Sequence, residues 1–161
     1  ATSAVHIVGA RPVVPGPAVV VDVDGVLSDA SGRQHLLVGP TRAWEEFFEA
    51  SVEDPPIPEG IRLVAGLVGE RTIILLTARP ARLADTTVAW LGRHGVSWDL
   101  LVMRVDGDRR SSPDVKLDAL DRLRTDGHDV QLAVDDDPRN VEMYRLAGVP
   151  TVYVHSGYYD L

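Results

Sequence analysis

Short apolar runs alternate with amphipathic segments along most of the chain. The runs are rich in Val, Ile and Leu and cover residues 18–23, 72–76, 100–103, 130–134 and 151–154. Such near-continuous apolar composition is typical of parallel strands that are buried on both faces of a sheet. Helical spacing of apolar side chains predicts helices at residues 61–68, 81–94, 114–125 and 138–147. The alternation therefore predicts an α/β protein, a three-layer α/β/α sandwich with right-handed crossovers.

Residues that start and stop helices support the last two helices. Ser112 as an N-cap with Pro113 after it predicts the start of the helix at 114–125. Asp137 is the expected N-cap of the final helix, and Gly148 is the residue expected to end it.

Polar side chains stand at the carboxyl ends of three predicted strands. Asp22 and Asp24 end the first strand at positions i and i+2, which share one face of an extended chain, and a glycine follows. Thr77 follows the second strand, and Asp135 and Asp136 follow the fourth. In open α/β sheets, ligands bind beyond the carboxyl ends of the strands. Carboxylates gathered there require a cation, and Mg²⁺ is a hard cation that prefers oxygen ligands.

Composition narrows the function classes. A chain of 161 residues with 45% hydrophobic residues favours one domain with a sizeable core. The net charge of −8 argues against loose electrostatic binding to nucleic acid, although a local basic patch is compatible with it. Because there is no cysteine, disulfides and zinc–thiolate sites are excluded.

The N-terminal residues lack the pattern of a targeting segment. Residues 1–17 contain no charged region followed by a clean apolar stretch, so we interpret them as a loose arm rather than a signal peptide, with the main domain at 18–161. No apolar stretch approaches the length of a membrane helix, which is about 20 residues. A cytoplasmic location without membrane contact is therefore the expectation.

The order of these polar sites resembles the haloacid dehalogenase (HAD) superfamily of phosphotransferases. Its motifs are Asp-x-Asp, Thr or Ser, Lys, and Asp-Asp, and Asp22-Val23-Asp24, Thr77, Lys116 and Asp135-Asp136 follow that order. The resemblance spans roughly residues 18–154 and implies a HAD-like Rossmannoid sheet.

The resemblance also implies a role for each motif residue. Asp22 would be the nucleophile that forms an aspartyl-phosphate, and Asp24 would serve as general acid and then general base. Thr77 would bind a phosphoryl oxygen, and Lys116 would neutralise charge on the phosphate and the nucleophile. Mg²⁺ would be held by Asp22, the backbone carbonyl of Asp24 and the Asp135–Asp136 pair, and the sequence leaves open which of the pair binds directly. Because both aspartates of the first motif are present, phosphatase chemistry is favoured over dehalogenase chemistry.

Residues 28–59 interrupt the strand–helix alternation and form what we call the flap segment. A helix is predicted at 41–51, where Trp44, Phe47 and Phe48 favour packing on the body or a subunit contact over stacking of a base. In HAD proteins this position holds a flap or a cap, and the segment is too short for a large cap. The site would then be open to bulky substrates or closed by a partner subunit in a homo-oligomer.

Further runs look like the 3′-phosphatase domain of phage-type polynucleotide kinase/phosphatase. They cover residues 101–104, 107–110, 114–116, 133–136 and 141–144. Thr77-Ala78-Arg79 matches the Ser/Thr-Gly-Arg element of that family, with Ala78 in place of glycine. The resemblance makes Thr77, Ala78, Arg79, Arg104 and Arg109 candidate residues for binding a substrate phosphate or a nucleic-acid backbone.

Two departures weaken the nucleic-acid interpretation. Asp137 stands where the phage-type domain has an arginine, and no phosphate-binding loop of a kinase is present. A phosphatase of nucleotide or nucleic-acid 3′-phosphate ends is the leading hypothesis. The alternatives are a phosphatase of small sugar or metabolite phosphates and a HAD-like binding module without catalysis. A receiver domain is disfavoured because its acidic pair precedes the phosphorylated aspartate.

Overall fold

The computed structural model describes residues 4–160 as one mixed sheet with helices on both faces. The strands are β1 (Val5–Val8), β2 (Gly16–Val21), β3 (Thr72–Pro80), β4 (Leu100–Arg104), β5 (His128–Asp135) and β6 (Thr151–Tyr153). The helices are α1 (Trp44–Glu49), α2 (Pro58–Leu67), α3 (Ala84–Arg93), α4 (Ser112–Thr125) and α5 (Pro138–Leu146). Short 3₁₀ turns span Ser31–Leu37, Ala50–Glu53 and Ala81–Leu83. All five strands predicted from the apolar runs are therefore confirmed, with ends shifted by a few residues.

The sheet has the strand order β1-β4-β3-β2-β5-β6. Strands β2 to β6 pair in parallel, and β1 pairs antiparallel with β4 at one edge. Since side chains alternate along a strand, the central strand β2 feeds two separate cores. Val19 and Val21 pack with α2 and α3, while Ala18 and Val20 pack with α4 and α5. The predicted three-layer sandwich is confirmed, and no helix within residues 4–160 is long and apolar enough to cross a membrane.

The N-terminal segment differs from the loose arm that we predicted. Residues 5–8 form β1, with Val5 opposite Met103 and Val8 opposite Leu100. Only a few residues of modest hydrophobicity make up this edge strand, and the pairing partner lies almost 100 residues away, so local pattern does not reveal it. Residues 1–3 of the predicted arm and residue 161 of the predicted domain lie outside the described residues.

The predicted N-cap of α5 is confirmed, whereas the predicted N-cap of α4 is wrong by one residue. The Asp137 side chain accepts a hydrogen bond from the backbone N–H of Arg139, and Gly148 after α5 has φ of 83°. At α4 the cap is Ser111, one residue before the predicted Ser112, and its hydroxyl accepts from the N–H of Asp114 at 3.4 Å. Ser111 and Ser112 both precede Pro113, and the sequence alone does not indicate which of the two serines is the N-cap.

The flap segment leaves the body and returns to it at nearly the same place. The N–H of Asp29 donates to the carbonyl of Pro55 at 2.8 Å, and the N–H of Ile57 donates to the carbonyl of Leu27 at 2.8 Å. Between these bonds lie the first two 3₁₀ turns and α1, which is shorter than the predicted helix at 41–51. The segment is therefore a closed loop over the site rather than a domain.

Candidate active site

The carboxyl edge of the sheet brings four of the predicted motif residues together. Asp22 directly follows β2, Thr77 lies within β3, and Asp135 ends β5 with Asp136 after it. These strands are neighbours in the order β3-β2-β5, which explains why residues far apart in sequence share one edge. Lys116 reaches the same edge from the second turn of α4.

Lys116 is the only lysine of the chain, and its side chain is 1% exposed. Its ammonium lies 3.0 Å from Oδ1 of Asp22 and 2.7 Å from Oδ2 of Asp135. Burial disfavours the charged amine, yet Asp135 and Asp22 hold the pKa of Lys116 well above its usual range. The amine is thus a fixed positive charge between two carboxylates from different strands.

Three buried carboxylates carry more negative charge than Lys116 can balance. Asp22, Asp135 and Asp136 each offer an oxygen, and these oxygens all lie within 4.8 Å of one another. Burial and the charge of Asp135 raise the pKa of Asp22 well above its usual range, although Lys116 opposes the shift. Burial also raises the pKa of Asp136 to about 6. A bound divalent cation would reverse both shifts, since it would favour the ionised carboxylates.

Asp135 and Asp136 differ in their partners. Asp135 accepts from Lys116, from the backbone N–H of Asp137 at 2.9 Å, and from the Asn140 amide at 3.2 Å. Both carboxylate oxygens of Asp136 are buried and have no hydrogen-bond partner. Because an unpartnered buried carboxylate is costly, the donor set fits a metal ion that binds Asp136 directly.

The turn after the first motif leaves room for Asp136. A Cβ added to Gly25 would lie 2.0 Å from Oδ2 of Asp136, and Gly25 has φ of +82°. Both facts require glycine at this position.

Asp24 lies in a separate network of buried charges. Its carboxylate accepts from Arg79 at 2.7 Å and from Arg33 at 2.5 Å. Arg33 also bonds to Asp54 at 2.7 Å, and Ser28 donates to Asp54 at 2.6 Å. Although burial favours the protonated acid, Arg79 and Arg33 together lower the pKa of Asp24 to about 2. In this geometry Asp24 is held as an anion.

Sequence reasoning missed Arg33 and Asp54. Both lie in the flap segment, at 2% and 7% exposure, and they reach Asp24 only because the segment folds back onto the body. Trp90 of α3 donates its indole N–H to the backbone carbonyl of Asp54 at 2.8 Å, which fixes that end of the segment. Arg33 and Asp54 are 21 residues apart, a separation that matches no helix or strand periodicity, so only the tertiary structure reveals this pair.

The candidate substrate-binding residues differ in their exposure and in their partners. Arg79 is 1% exposed and faces Asp24 and Thr87 rather than solvent. Arg104 donates to the carbonyl of Ala78 at 2.8 Å and to two carbonyls of the loop after β4, so it holds that loop in place. Arg109 is exposed on the same loop. Thr77 is buried, and its hydroxyl accepts from the N–H of Arg79 at 3.1 Å.

The aromatic residues of the flap segment pack on each other, and Phe48 also packs against the buried core, which agrees with the predicted packing on the body. The ring of Trp44 lies 5.7 Å from those of Phe47 and Phe48, and the Arg33 guanidinium lies 4.3 Å from the centre of the Phe47 ring. Phe47 is buried, whereas Trp44 remains 45% exposed. The cluster therefore contacts Arg33 through the Phe47 ring.

Comparison with known proteins identifies one family model, described as the polynucleotide kinase PNKP phosphatase domain, which matches residues 16–159. The curated proteins contain no match to this sequence.

Several solved structures share the fold. One chain of the Pnkp1/Rnl/Hen1 RNA repair complex has a TM-score of 0.73 at 22% identity, over 92% of this chain and 45% of that chain. The class C acid phosphatase of Bacillus anthracis has a TM-score of 0.64 at 18% identity, over 91% and 69%. A haloacid dehalogenase-like hydrolase of Streptococcus pneumoniae has a TM-score of 0.60 at 14% identity, over 87% and 84%. This chain spans less than half of the repair-complex chain that it matches.

Proposed function

Because the chain belongs to the family of polynucleotide kinase PNKP phosphatase domains, within the HAD-like phosphatases, we propose that it removes phosphate from the 3′ ends of nucleic acids. Hydrolysis of a phosphate monoester is the activity of its family. The nucleic-acid end as substrate is supported by the family description and by the fold shared with an RNA repair protein. The observation that carries the proposal is the buried Lys116, which joins Asp22 to Asp135 beside the unpartnered Asp136.

Asp22 is the proposed nucleophile. Its carboxylate oxygen bonds to phosphorus while the bond from phosphorus to the leaving 3′ oxygen breaks, which yields an aspartyl-phosphate. Its backbone position is fixed by a bond from its N–H to the carbonyl of Val134 at 2.9 Å. Lys116, at 3.0 Å, offsets the negative charge that this carboxylate brings toward an anionic phosphoryl group. Thr77, in the neighbouring strand β3, would bind a phosphoryl oxygen through its hydroxyl.

Asp24 is the proposed general acid and base. It gives a proton to the leaving oxygen, and later removes one from the water whose oxygen attacks the aspartyl-phosphate, so that phosphate leaves and Asp22 is restored. The bonds from Arg33 and Arg79 favour the anionic form, which suits the second step. Before the first step the carboxylate has to leave the two arginines and take up a proton from solvent, since a carboxyl with a pKa near 2 holds no proton at neutral pH.

A metal ion would be held by Asp22, Asp136 and the backbone carbonyl of Asp24. Asp135 is already bonded to Lys116 and Asn140, so Asp136 is the member of the pair that we assign as the direct ligand. Bound there, Mg²⁺ would supply positive charge that neutralises the phosphoryl oxygens.

A small sugar or metabolite phosphate is the second candidate substrate. One observation favours it: Arg79 and Arg104 bond within the protein, which leaves Arg109 as the exposed member of the predicted arginine set. A strand of nucleic acid usually requires several positive contacts.

The test is phosphate release from a substrate panel, with Mg²⁺ and with EDTA. The panel contains 3′-phosphorylated oligonucleotides, 3′- and 5′-mononucleotides and sugar phosphates. We expect turnover that requires both Mg²⁺ and Asp22, with the 3′-phosphorylated strand as the best substrate. Asp22→Asn should abolish turnover, while Asp121→Asn on the exposed face of α4 makes the same chemical change and should not. A sugar phosphate as best substrate would select the second candidate, and a folded, metal-binding protein without turnover would contradict both.

A further inference from the structure

The segment after β6 runs along one side of the catalytic cluster, which consists of Asp22, Lys116, Asp135 and Asp136. The N–H of Val154 donates to the backbone carbonyl of Asp135 at 3.0 Å, so the segment begins at the strand that carries the acidic pair. His155 then lies 3.0 Å from the carboxylate of Asp160, which closes the segment into a turn. No step of the proposed reaction uses these residues.

Tyr158 ties this segment to the flap segment. Its hydroxyl accepts from the backbone N–H of Ala30 at 2.8 Å and lies 3.2 Å from Oδ1 of Asp29, to which it donates. Ala30 itself is buried. These bonds therefore fix the position of Tyr158, and with it the start of the side chain of Tyr159, next to the flap segment.

Tyr159 directly follows Tyr158 and remains partly exposed. The residue is 43% exposed. Burial of the hydroxyl raises the pKa of Tyr159, and the charges of Asp136 and Asp22 raise it further. The position of the ring is given by its contact with Arg139, because the guanidinium of Arg139 bonds to Asp137, the residue after Asp136.

Arg139 lies next to this ring. Its guanidinium is 5.9 Å from the centre of the Tyr159 ring and bonds to Asp137 at 2.8 Å. Asp137 also caps α5, so the arginine projects from a fixed helix start. Its side chain is 60% exposed, which leaves guanidinium N–H groups for a further partner.

We propose that Tyr159 and Arg139 bind the last nucleotide of the substrate strand, with its base stacked on the Tyr159 ring and a backbone phosphate at Arg139. The inference rests on the proposed function and names a binding site for that substrate. A partly exposed aromatic ring with a guanidinium over it matches single-stranded nucleic acid, which offers a flat base and an anionic backbone. A sugar phosphate offers no base for the ring to contact.

Trp44 is the competing platform, since it is also aromatic and about equally exposed. It differs in its surroundings, because its ring already stacks on Phe48 and its cluster reaches Asp24 only through Arg33. Tyr159 has no other aromatic ring against it among the described residues.

The experiment compares two 3′-phosphorylated oligonucleotides that differ only in the last nucleotide. One ends in an ordinary nucleotide, and the other ends in a stable abasic sugar. The readout is the ratio of kcat/KM for the two substrates, measured with Mg²⁺ for the wild type, Tyr159→Ala, Tyr159→Phe and Trp44→Ala. Stacking of one base contributes on the order of a factor of ten in binding.

We expect the wild type to prefer the ordinary end about tenfold. Tyr159→Ala should bring the ratio near one, whereas Tyr159→Phe and Trp44→Ala should keep it, since the first retains the ring and the second alters a different surface. A ratio near one in the wild type, or a ratio that Tyr159→Ala leaves unchanged, would overturn the inference while the phosphatase proposal stands. If the wild type released phosphate from neither oligonucleotide, the proposed function would fail and the inference with it.

Discussion

At the scale of single residues, the capacity of the site to bind a metal ion depends on which buried charged side chains already have partners in the protein. Lys116, Asp135 and Asp24 are fully engaged by the protein, whereas Asp136 is buried without a hydrogen bond. Its carboxylate fits against the backbone of Gly25. Among the described carboxylates of the site, the one without a hydrogen bond is thus also the one best placed to bind a metal ion.

Gly25→Ala should weaken metal binding. The new Cβ would meet Oδ2 of Asp136 at 2.0 Å, so the carboxylate has to move. We expect the Mg²⁺ concentration for half-maximal activity to rise at least about tenfold, a change of 1.4 kcal/mol in binding. Gly148→Ala is the matched control, because Gly148 has φ of +83° and open space around it. It should cost comparable stability and leave the Mg²⁺ titration unchanged; equal titrations for the two variants would contradict the assignment of Asp136.

Arg33→Met should destabilise the protein strongly, since it removes the cation that bonds directly to both Asp24 and Asp54 and leaves Asp54 with Arg79 at 3.7 Å. Loss of one partner from a buried ion pair typically costs about 3–5 kcal/mol. Urea denaturation gives the free energy of unfolding for Arg33→Met, Asp54→Asn and the double variant. We expect the double variant to lose less than the sum of the single losses, because the residues interact directly.

The exposed pair Arg82–Glu49 is the control for that cycle. These side chains are 39% and 58% exposed and lie 3.6 Å apart, so Arg82→Ala should cost less than about 1 kcal/mol. Additive losses at Arg33 and Asp54 would mean that their bonds contribute nothing beyond separate contacts.

At the scale of elements, strands and helices deliver functional residues from their ends. Strands β2, β3 and β5 end at the site, and α4 and α5 begin beside it. Asp137 caps α5 and positions Arg139, so one residue serves the helix and the proposed binding site. An error of one residue in a helix start matters little for the fold, as Ser111 in place of Ser112 illustrates.

Asp137→Ala should lower the free energy of unfolding by about 1 kcal/mol, the usual contribution of an N-cap. Ser111→Ala should cost less, because its capping bond is 3.4 Å long, against 2.9 Å for Asp137. Thermal and urea denaturation of the two variants measure the difference. A larger loss for Ser111→Ala would show that cap geometry is not what sets the stability of these helices.

At the scale of the whole molecule, the metal site couples function to stability. A ligand that binds only the folded state stabilises it, by about 2.7 kcal/mol when its concentration is 100 times Kd. Without a cation, the clustered carboxylates repel one another and raise each other's pKa. We therefore expect Mg²⁺ to raise the Tm relative to EDTA.

Asp136→Asn should raise the stability of the metal-free protein and reduce the stabilisation that Mg²⁺ provides. In EDTA the variant should be more stable than the wild type, because a buried, unpartnered charge has been removed. In Mg²⁺ it should show little further stabilisation, since a ligand is lost. Differential scanning fluorimetry with and without Mg²⁺ measures both effects, and a variant that is still stabilised as much as the wild type would contradict direct binding by Asp136.

Much of this architecture follows from local pattern. Continuous apolar runs such as residues 72–76 predict central strands that are buried on both faces. The polar residues that follow these runs predict a site at one edge of the sheet. The order of Asp22, Thr77, Lys116 and Asp135 along the chain, with its likeness to HAD proteins, was enough to predict the family and the reaction class, which the family match confirms. The roles of these residues stay predictions.

Tertiary structure decided what depends on contacts between distant segments. The pairing of residues 5–8 with β4, the Arg33–Asp54 pair and the contact of Tyr158 with Ala30 each join residues that no periodicity relates. Folding also turned Arg79, a candidate for substrate binding, toward Asp24. The physical reason is that hydrophobic periodicity and turn-forming residues determine structure over only a few residues. The partner of a buried charge, in contrast, depends on which distant segments pack beside it in the folded protein.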